Sequence, residues 1–182
     1  AIAAAGLEEG VITETSKFYC SHIYRQFTDT TFKCLGSHGW IDVKNALNQS
    51  CNIYFYETGR LLGINRMNDY CTRFGLGQKT GVEINESSGV LAGIAYREAH
   101  GGTWYPGDTV QAAIGQSDNL FTPIQLCSYV STIANGGTRY RAHFVKSVKS
   151  SDYSETLLSN DGVVLNETGV SQNSIRIVKE GM

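Results

Sequence analysis

Ala46-Leu47-Asn48-Gln49-Ser50-Cys51-Asn52-Ile53-Tyr54-Phe55-Tyr56 is the stretch on which the reading of this chain turns. It sets a hydroxyl, Ser50, and a carboxamide, Asn52, on either side of Cys51. Asp42 ahead of Val43, Ala46 and Leu47 marks a short helix with an acidic N-cap, and the spacing from Ile53 to Leu62 marks a second, closed by Gly63. Ser50 and Asn52 therefore fall where two helices meet. Taken alone, a Ser-x-Asn pair before Ile53 reads as an ordinary N-cap, so its meaning has to come from its surroundings.

Outward from that junction the chain reads as mostly helical. An Ala-rich helix over Ala1 to Glu9 ends at Gly10, and another from Asn65 to Phe74 stops at Gly75-Leu76-Gly77. Thr122-Pro123 opens a helix to about Asn135, with proline in its first turn and Gly136-Gly137 at its end. Strands are expected over Ala142 to Lys149 and Ser154 to Leu158, joined by a hairpin turn at Ser151-Asp152. Ser171 caps a last helix through Val178. Phe18 to Gly39 has weak local structure, Gly101 to Gly107 reads as a long functional loop, and no internal repeat is present. The expected class is α+β, a helical part with a β-hairpin.

Further segments follow Ser50-Cys51-Asn52 in order: Trp104-Tyr105-Pro106-Gly107-Asp108, Ala113-Ile114-Gly115-Gln116-Ser117, Phe121-Thr122-Pro123-Ile124-Gln125-Leu126 and Ile133-Ala134-Asn135-Gly136-Gly137. Together they resemble a class B penicillin-binding protein of the elongation and sporulation type, over nearly the whole of Ala1 to Met182. The resemblance implies the serine β-lactamase/transpeptidase-like fold, here incomplete, and a peptidoglycan D,D-transpeptidase that works through an acyl-serine and is acylated by β-lactams. It implies catalytic roles for two residues: Ser50 relays a proton and Asn52 grips the amide of a stem peptide or β-lactam. It also implies that Trp104 and Tyr105 form a wall near the substrate, with Gly115-Gln116 close to the active-site helix.

The family works with three motifs, and only the middle one is recognised here. Residues 1–182 are therefore expected to be a partial domain between a Ser-x-x-Lys nucleophile motif and a Lys-Thr-Gly strand, inactive alone for want of an acylatable serine. Two stretches imitate the other motifs. Lys79-Thr80-Gly81 sits too early and inside the segment Gly75-Leu76-Gly77 to Ile84, which resembles a structural part of the family. Thr30-Thr31-Phe32-Lys33 begins with threonine and lies too close before Ser50. The competing readings are a noncatalytic, zinc-stabilised binding or scaffold module and a β-lactam sensor domain.

Five cysteines, Cys20, Cys34, Cys51, Cys71 and Cys127, cannot all pair. Cys20, Cys34, His38 and Cys51 lie in one stretch whose ends fold back toward Ser50, and three thiolates with one imidazole make a tetrahedral zinc set. His22 or Asp29 can replace one ligand. The resemblance adds that some relatives hold zinc beside the Ser-x-Asn motif, with a ligand from its middle residue. Such a zinc would be structural. A Cys20–Cys34 disulfide and free thiols stay open as alternatives. Cys71 and Cys127 are expected as small buried residues in helices.

Composition bounds the rest. At 182 residues and 41% hydrophobic content the chain can bury one core. A formal net charge of -2 without a Lys/Arg block argues against nucleic acid as a partner. No apolar run is long enough to span a bilayer. The resemblance implies an extracytoplasmic position at the bacterial membrane through an anchor outside this chain, a glycosyltransferase partner of elongation or sporulation, and no organic cofactor.

Overall fold

The computed structural model describes residues 1–28 and 30–182. In chain order its elements are α1 (Ile2–Glu8), β1 (Phe18–Cys20), β2 (Ile23–Tyr24), β3 (Phe32–Lys33), β4 (Gly39–Ile41), α2 (Val43–Asn48), α3 (Asn52–Leu62), α4 (Ile64–Arg73), α5 (Ile94–Ala99), α6 (Pro106–Ala113), α7 (Pro123–Ala134), β5 (Thr138–Tyr140), β6 (Ser147–Lys149), β7 (Thr156–Ser159), β8 (Val164–Glu167) and α8 (Gln172–Gly181). Among the described residues every sheet has two strands, and all pairs are antiparallel: β1 with β4, β2 with β3, β5 with β8, and β6 with β7. The α+β expectation is met.

Three helices, α2, α7 and α8, start at a residue whose side chain caps them. Asp42 accepts the Asn45 N–H at 3.0 Å, Thr122 accepts that of Gln125 at 3.3 Å, and Ser171 accepts that of Ser174 at 3.2 Å. α3 is the axle of the molecule: Tyr54 on it is wholly buried, and α1, α4, α6 and β1 all pack around it. The α3–α6 approach depends on Gly59, because a Cβ there would collide with the Ala113 methyl. α8 runs past the expected Val178 to Gly181, which lies against Leu47 and so seats α8 on α2.

Several expectations need correction. Phe18 to Gly39 holds two short ribbons: Cys20 pairs with Gly39 and Ile23 with Lys33. Strands of two or three residues are too short to show an alternation, and their partners lie well away in sequence. The strand expected from Ala142 begins only at Ser147. The Ala142 N–H goes to the Thr80 carbonyl at 3.1 Å, and the Glu83 carboxylate takes those of Phe144 at 2.9 Å and Val145 at 3.3 Å. Its mate starts at Thr156, since the Asp152 carboxylate holds the Ser154 N–H at 3.1 Å. Pro106-Gly107 opens a helix, α6, with the Asp108 carboxylate accepting the Tyr105 N–H at 2.9 Å. Cys71 is buried as expected, but Cys127 stands exposed on α7.

Candidate functional site

α2 and α3 meet at Ser50 in a tight helix stop. The Cys51 N–H reaches the Ala46 carbonyl at 2.9 Å and the Ser50 N–H that of Leu47 at 3.2 Å, while Ser50 takes a left-handed φ of 53°. This is the position usually given to glycine after a helix, and here a serine holds it at a conformational cost. The result is an exposed Ser50 hydroxyl beside the first turn of α3, whose first residue is Asn52. Both line a groove of about 560 Å³ together with Phe55, Ile114, Gly115 and Asn119.

The opposite wall is therefore the end of α6 and the loop after it. Of the expected Gly115-Gln116 pair, Gly115 lines the groove, whereas Gln116, Trp104 and Tyr105 do not. The Trp104 indole N–H donates to Thr109 at 3.0 Å and its ring lies under the Arg97 guanidinium, and Tyr105 points to solvent. Arg97 in turn binds Asp118 at 2.6 Å and Asp108 at 3.2 Å. Trp104 thus braces the wall from behind, and Tyr105 does not.

Asn52 is fixed by the cysteine ribbons. Its backbone N–H donates to Cys34 Sγ at 3.3 Å, and its side-chain Nδ2 donates to the Lys33 carbonyl at 3.3 Å. The sulfurs of Cys20, Cys34 and Cys51 and a ring nitrogen of His38 all lie within 4.8 Å of one another. Each donor is placed by a different device: Cys20 ends β1, Cys34 follows β3, His38 precedes β4, and Cys51 caps α3. His38 Nδ1 lies 3.3 Å from Cys20 Sγ and 3.6 Å from Cys34 Sγ. A tetrahedral zinc with ordinary Zn–S and Zn–N bonds sets adjacent sulfur and nitrogen ligands about 3.6 Å apart, so the donor set fits that ion. The three sulfurs are buried, and all five cysteines of the chain are free thiols. Burial pushes the Cys51 thiol up to about 12. Burial acts the same way on Cys34, but backbone N–H groups of Gly36, Asn52 and Ile53 outweigh it and hold that thiol below its ordinary value. His22 lies outside this group, and Asp29 lies outside the described residues.

The two imitations occupy structural places. Thr80 is buried, and its N–H and hydroxyl both donate to Glu86 Oε2, at 2.9 and 2.8 Å, so it faces no groove. Thr30 to Lys33 runs into β3, an extended segment that cannot present a Ser-x-x-Lys pair on one helix face.

Comparison with known proteins bears on the family and the fold. The chain is 31% identical over 157 residues to the peptidoglycan D,D-transpeptidase MrdA of Salmonella typhimurium (strain SL1344), a match that covers 82% of this chain and 25% of that protein. The chain thus spans about a quarter of the length of the curated relatives it matches. The structure of Pseudomonas aeruginosa PBP2 in complex with WCK 5153 superposes with a TM-score of 0.83 at 28% identity, over 99% of this chain and 41% of that one. A chain from a peptidoglycan synthase complex that coordinates polymerization and crosslinking superposes with a TM-score of 0.85 at 28% identity, over 99% of this chain and 30% of its own. The fold is the serine β-lactamase/transpeptidase-like one anticipated from the motifs. With residues 1–182 all matching the family described as penicillin binding protein transpeptidase domain, the chain belongs to that family.

Proposed function

We propose that residues 1–182 are the part of a peptidoglycan D,D-transpeptidase domain that lies between its nucleophile motif and its Lys-Thr-Gly strand. The observation that carries this is the joint placement of Ser50 and Asn52 on one groove, the hydroxyl on a strained helix stop and the carboxamide on the next helix. In the whole enzyme the nucleophilic serine attacks the carbonyl of the penultimate D-alanine of a stem peptide. The C–N bond to the last D-alanine breaks, and the amine of a second stem peptide then takes the acyl group. Ser50 relays the proton to the leaving amine and Asn52 holds the donor peptide's amide. β-Lactams acylate the same serine. The whole enzyme stands on the extracytoplasmic face of the membrane beside a glycosyltransferase of elongation or sporulation; among the described residues no helix is long and apolar enough to cross a bilayer. No organic cofactor takes part.

Cys20, Cys34, His38 and Cys51 would hold a structural zinc, whose chemistry is to staple the two ribbons to the first turn of α3. The cluster is where the ends of the ribbons converge on Cys51. A native mass spectrum taken after exposure to benzylpenicillin tests both claims. The 182-residue chain is expected to carry one zinc and no adduct, and the full-length enzyme one zinc and one penicilloyl group. An adduct on the short chain would overturn the assignment of the nucleophile to the flanking sequence, and a metal-free mass two hydrogens light would replace zinc by a disulfide.

A further inference from the structure

Lys33 and Cys34 receive three donors from one turn of α3. Cys34 Sγ accepts the Asn52 backbone N–H, and the Lys33 carbonyl accepts Asn52 Nδ2 at 3.3 Å and the Tyr56 hydroxyl at 3.2 Å. Asn52 and Tyr56 are four residues apart on a helix, hence stacked on one face and able to reach the same acceptor. The Tyr56 ring is buried, 5.4 Å from that of Tyr24 and 5.7 Å from that of Phe32. Phe32 in turn lies against Gly107 on α6. The tyrosine is thus locked in place by aromatic neighbours on both ribbon strands β2 and β3, and its hydroxyl holds the carbonyl that orients the carboxamide.

We infer that Tyr56 is a positioning residue for Asn52: through the Lys33 carbonyl it fixes the orientation of the Asn52 carboxamide beside the groove that takes the ligand's amide. The two hydrogen bonds on one carbonyl divide the work. Asn52 Nδ2 turns the carboxamide, and the Tyr56 hydroxyl keeps the carbonyl, and with it β3, from following the side chain when a ligand pulls on it. This inference rests on the proposed role of Asn52 as the group that grips the substrate's amide, and it adds a residue from the helix interior to a site otherwise built at the helix start.

The test uses the full-length enzyme and two penams, benzylpenicillin with its acylamino side chain and 6-aminopenicillanic acid without one. Tyr56→Phe keeps the ring and its packing and removes one hydrogen bond, so acylation by benzylpenicillin is expected to slow about five-fold, the worth of one such bond. Acylation by 6-aminopenicillanic acid is expected to stay unchanged, because it has no side-chain amide for Asn52 to hold. Asn52→Ala erases the preference between the two penams, and Tyr56→Phe added to Asn52→Ala produces no further loss for benzylpenicillin. Para-aminophenylalanine at position 56 restores a donor and with it the rate. Equal slowing for both penams, or additive losses in the double variant, would overturn the inference by making Tyr56 a general packing residue. If Asn52→Ala leaves the preference intact, the reading of Asn52 itself falls, and the inference falls with it.

Discussion

Ser50 shows how a single residue can be held away from its own preference. Its left-handed φ of 53° ends α2 as glycine would, so the wild-type side chain is kept there against a backbone cost. Ser50→Gly is expected to stabilise the fold by about 0.5–1 kcal/mol, the relief of left-handed strain less the extra chain entropy that glycine loses on folding. The same change should slow acylation of the full-length enzyme, since the relay hydroxyl is gone. Urea unfolding beside penicillin acylation kinetics checks both; a destabilised Ser50→Gly would mean the serine makes contacts that outweigh its strain. Ser50, Asn52 and the four cluster residues were legible because each is a side-chain type in a recognisable order. The partners that fix Asn52 were not. They are a sulfur 18 residues and a backbone carbonyl 19 residues earlier in the chain, and any residue at position 33 offers that carbonyl.

At the scale of elements, legibility follows the range of the interactions that make each one. Helices with local caps, those begun by Asp42, Thr122 and Ser171, could be read from neighbouring residues, and so could the stops at Gly63 and Gly75. α6 carries the same local signals, Pro106 at its start and Asp108 two residues on, but the glycines around it made the segment read as a loop. β1 to β4 could not be read, because ladders of two or three pairs draw their order from the cluster and from the rings of Tyr24, Phe27, Phe32 and Tyr56. The α3–α6 contact is a further tertiary fact with a local signature, the lone Gly59 in α3. Gly59→Ala favours an isolated helix by about 1 kcal/mol. In the folded chain the added methyl collides with Ala113, an overpacking that costs about 1–3 kcal/mol. The expected net result is a lower urea midpoint, and a shift of α6 that carries Ile114 and Gly115 away from Asn52 and slows acylation. A Gly59→Ala variant with an unchanged midpoint would show that the two helices have room to part without loss.

For the whole molecule, the ends of the chain are joined by acidic side chains as well as by the buried apolar residues of α1 and α8. Glu8 on α1 accepts the hydroxyls of Ser171 at 2.6 Å and Ser174 at 2.5 Å and so ties α1 to the start of α8. Glu86 ties the segment after α4 through the Thr80 and Gly81 N–H groups. Glu14 and Glu180 share Lys44 and Arg176 between α2, α8 and the segment before β1. Partial burial pushes Glu8 and Glu86 upward, yet the hydrogen bonds they accept outweigh it, and both carboxyls lie below their ordinary value of 4.5. A carboxyl lowered in the folded state binds its proton less readily than in the unfolded chain, so its contribution is complete above the ordinary value and is lost as pH falls below it. The urea midpoint should therefore hold steady from neutral pH to about 5 and decline below about 4.5. Glu8→Gln should lower the plateau and flatten that decline, because the amide keeps an acceptor without the charge. A midpoint that stays level down to pH 3, or a Glu8→Gln variant that declines as steeply as the wild type, would mean that these carboxylates are paired as well in the unfolded chain as in the fold, and that packing around α3 alone holds the ends together.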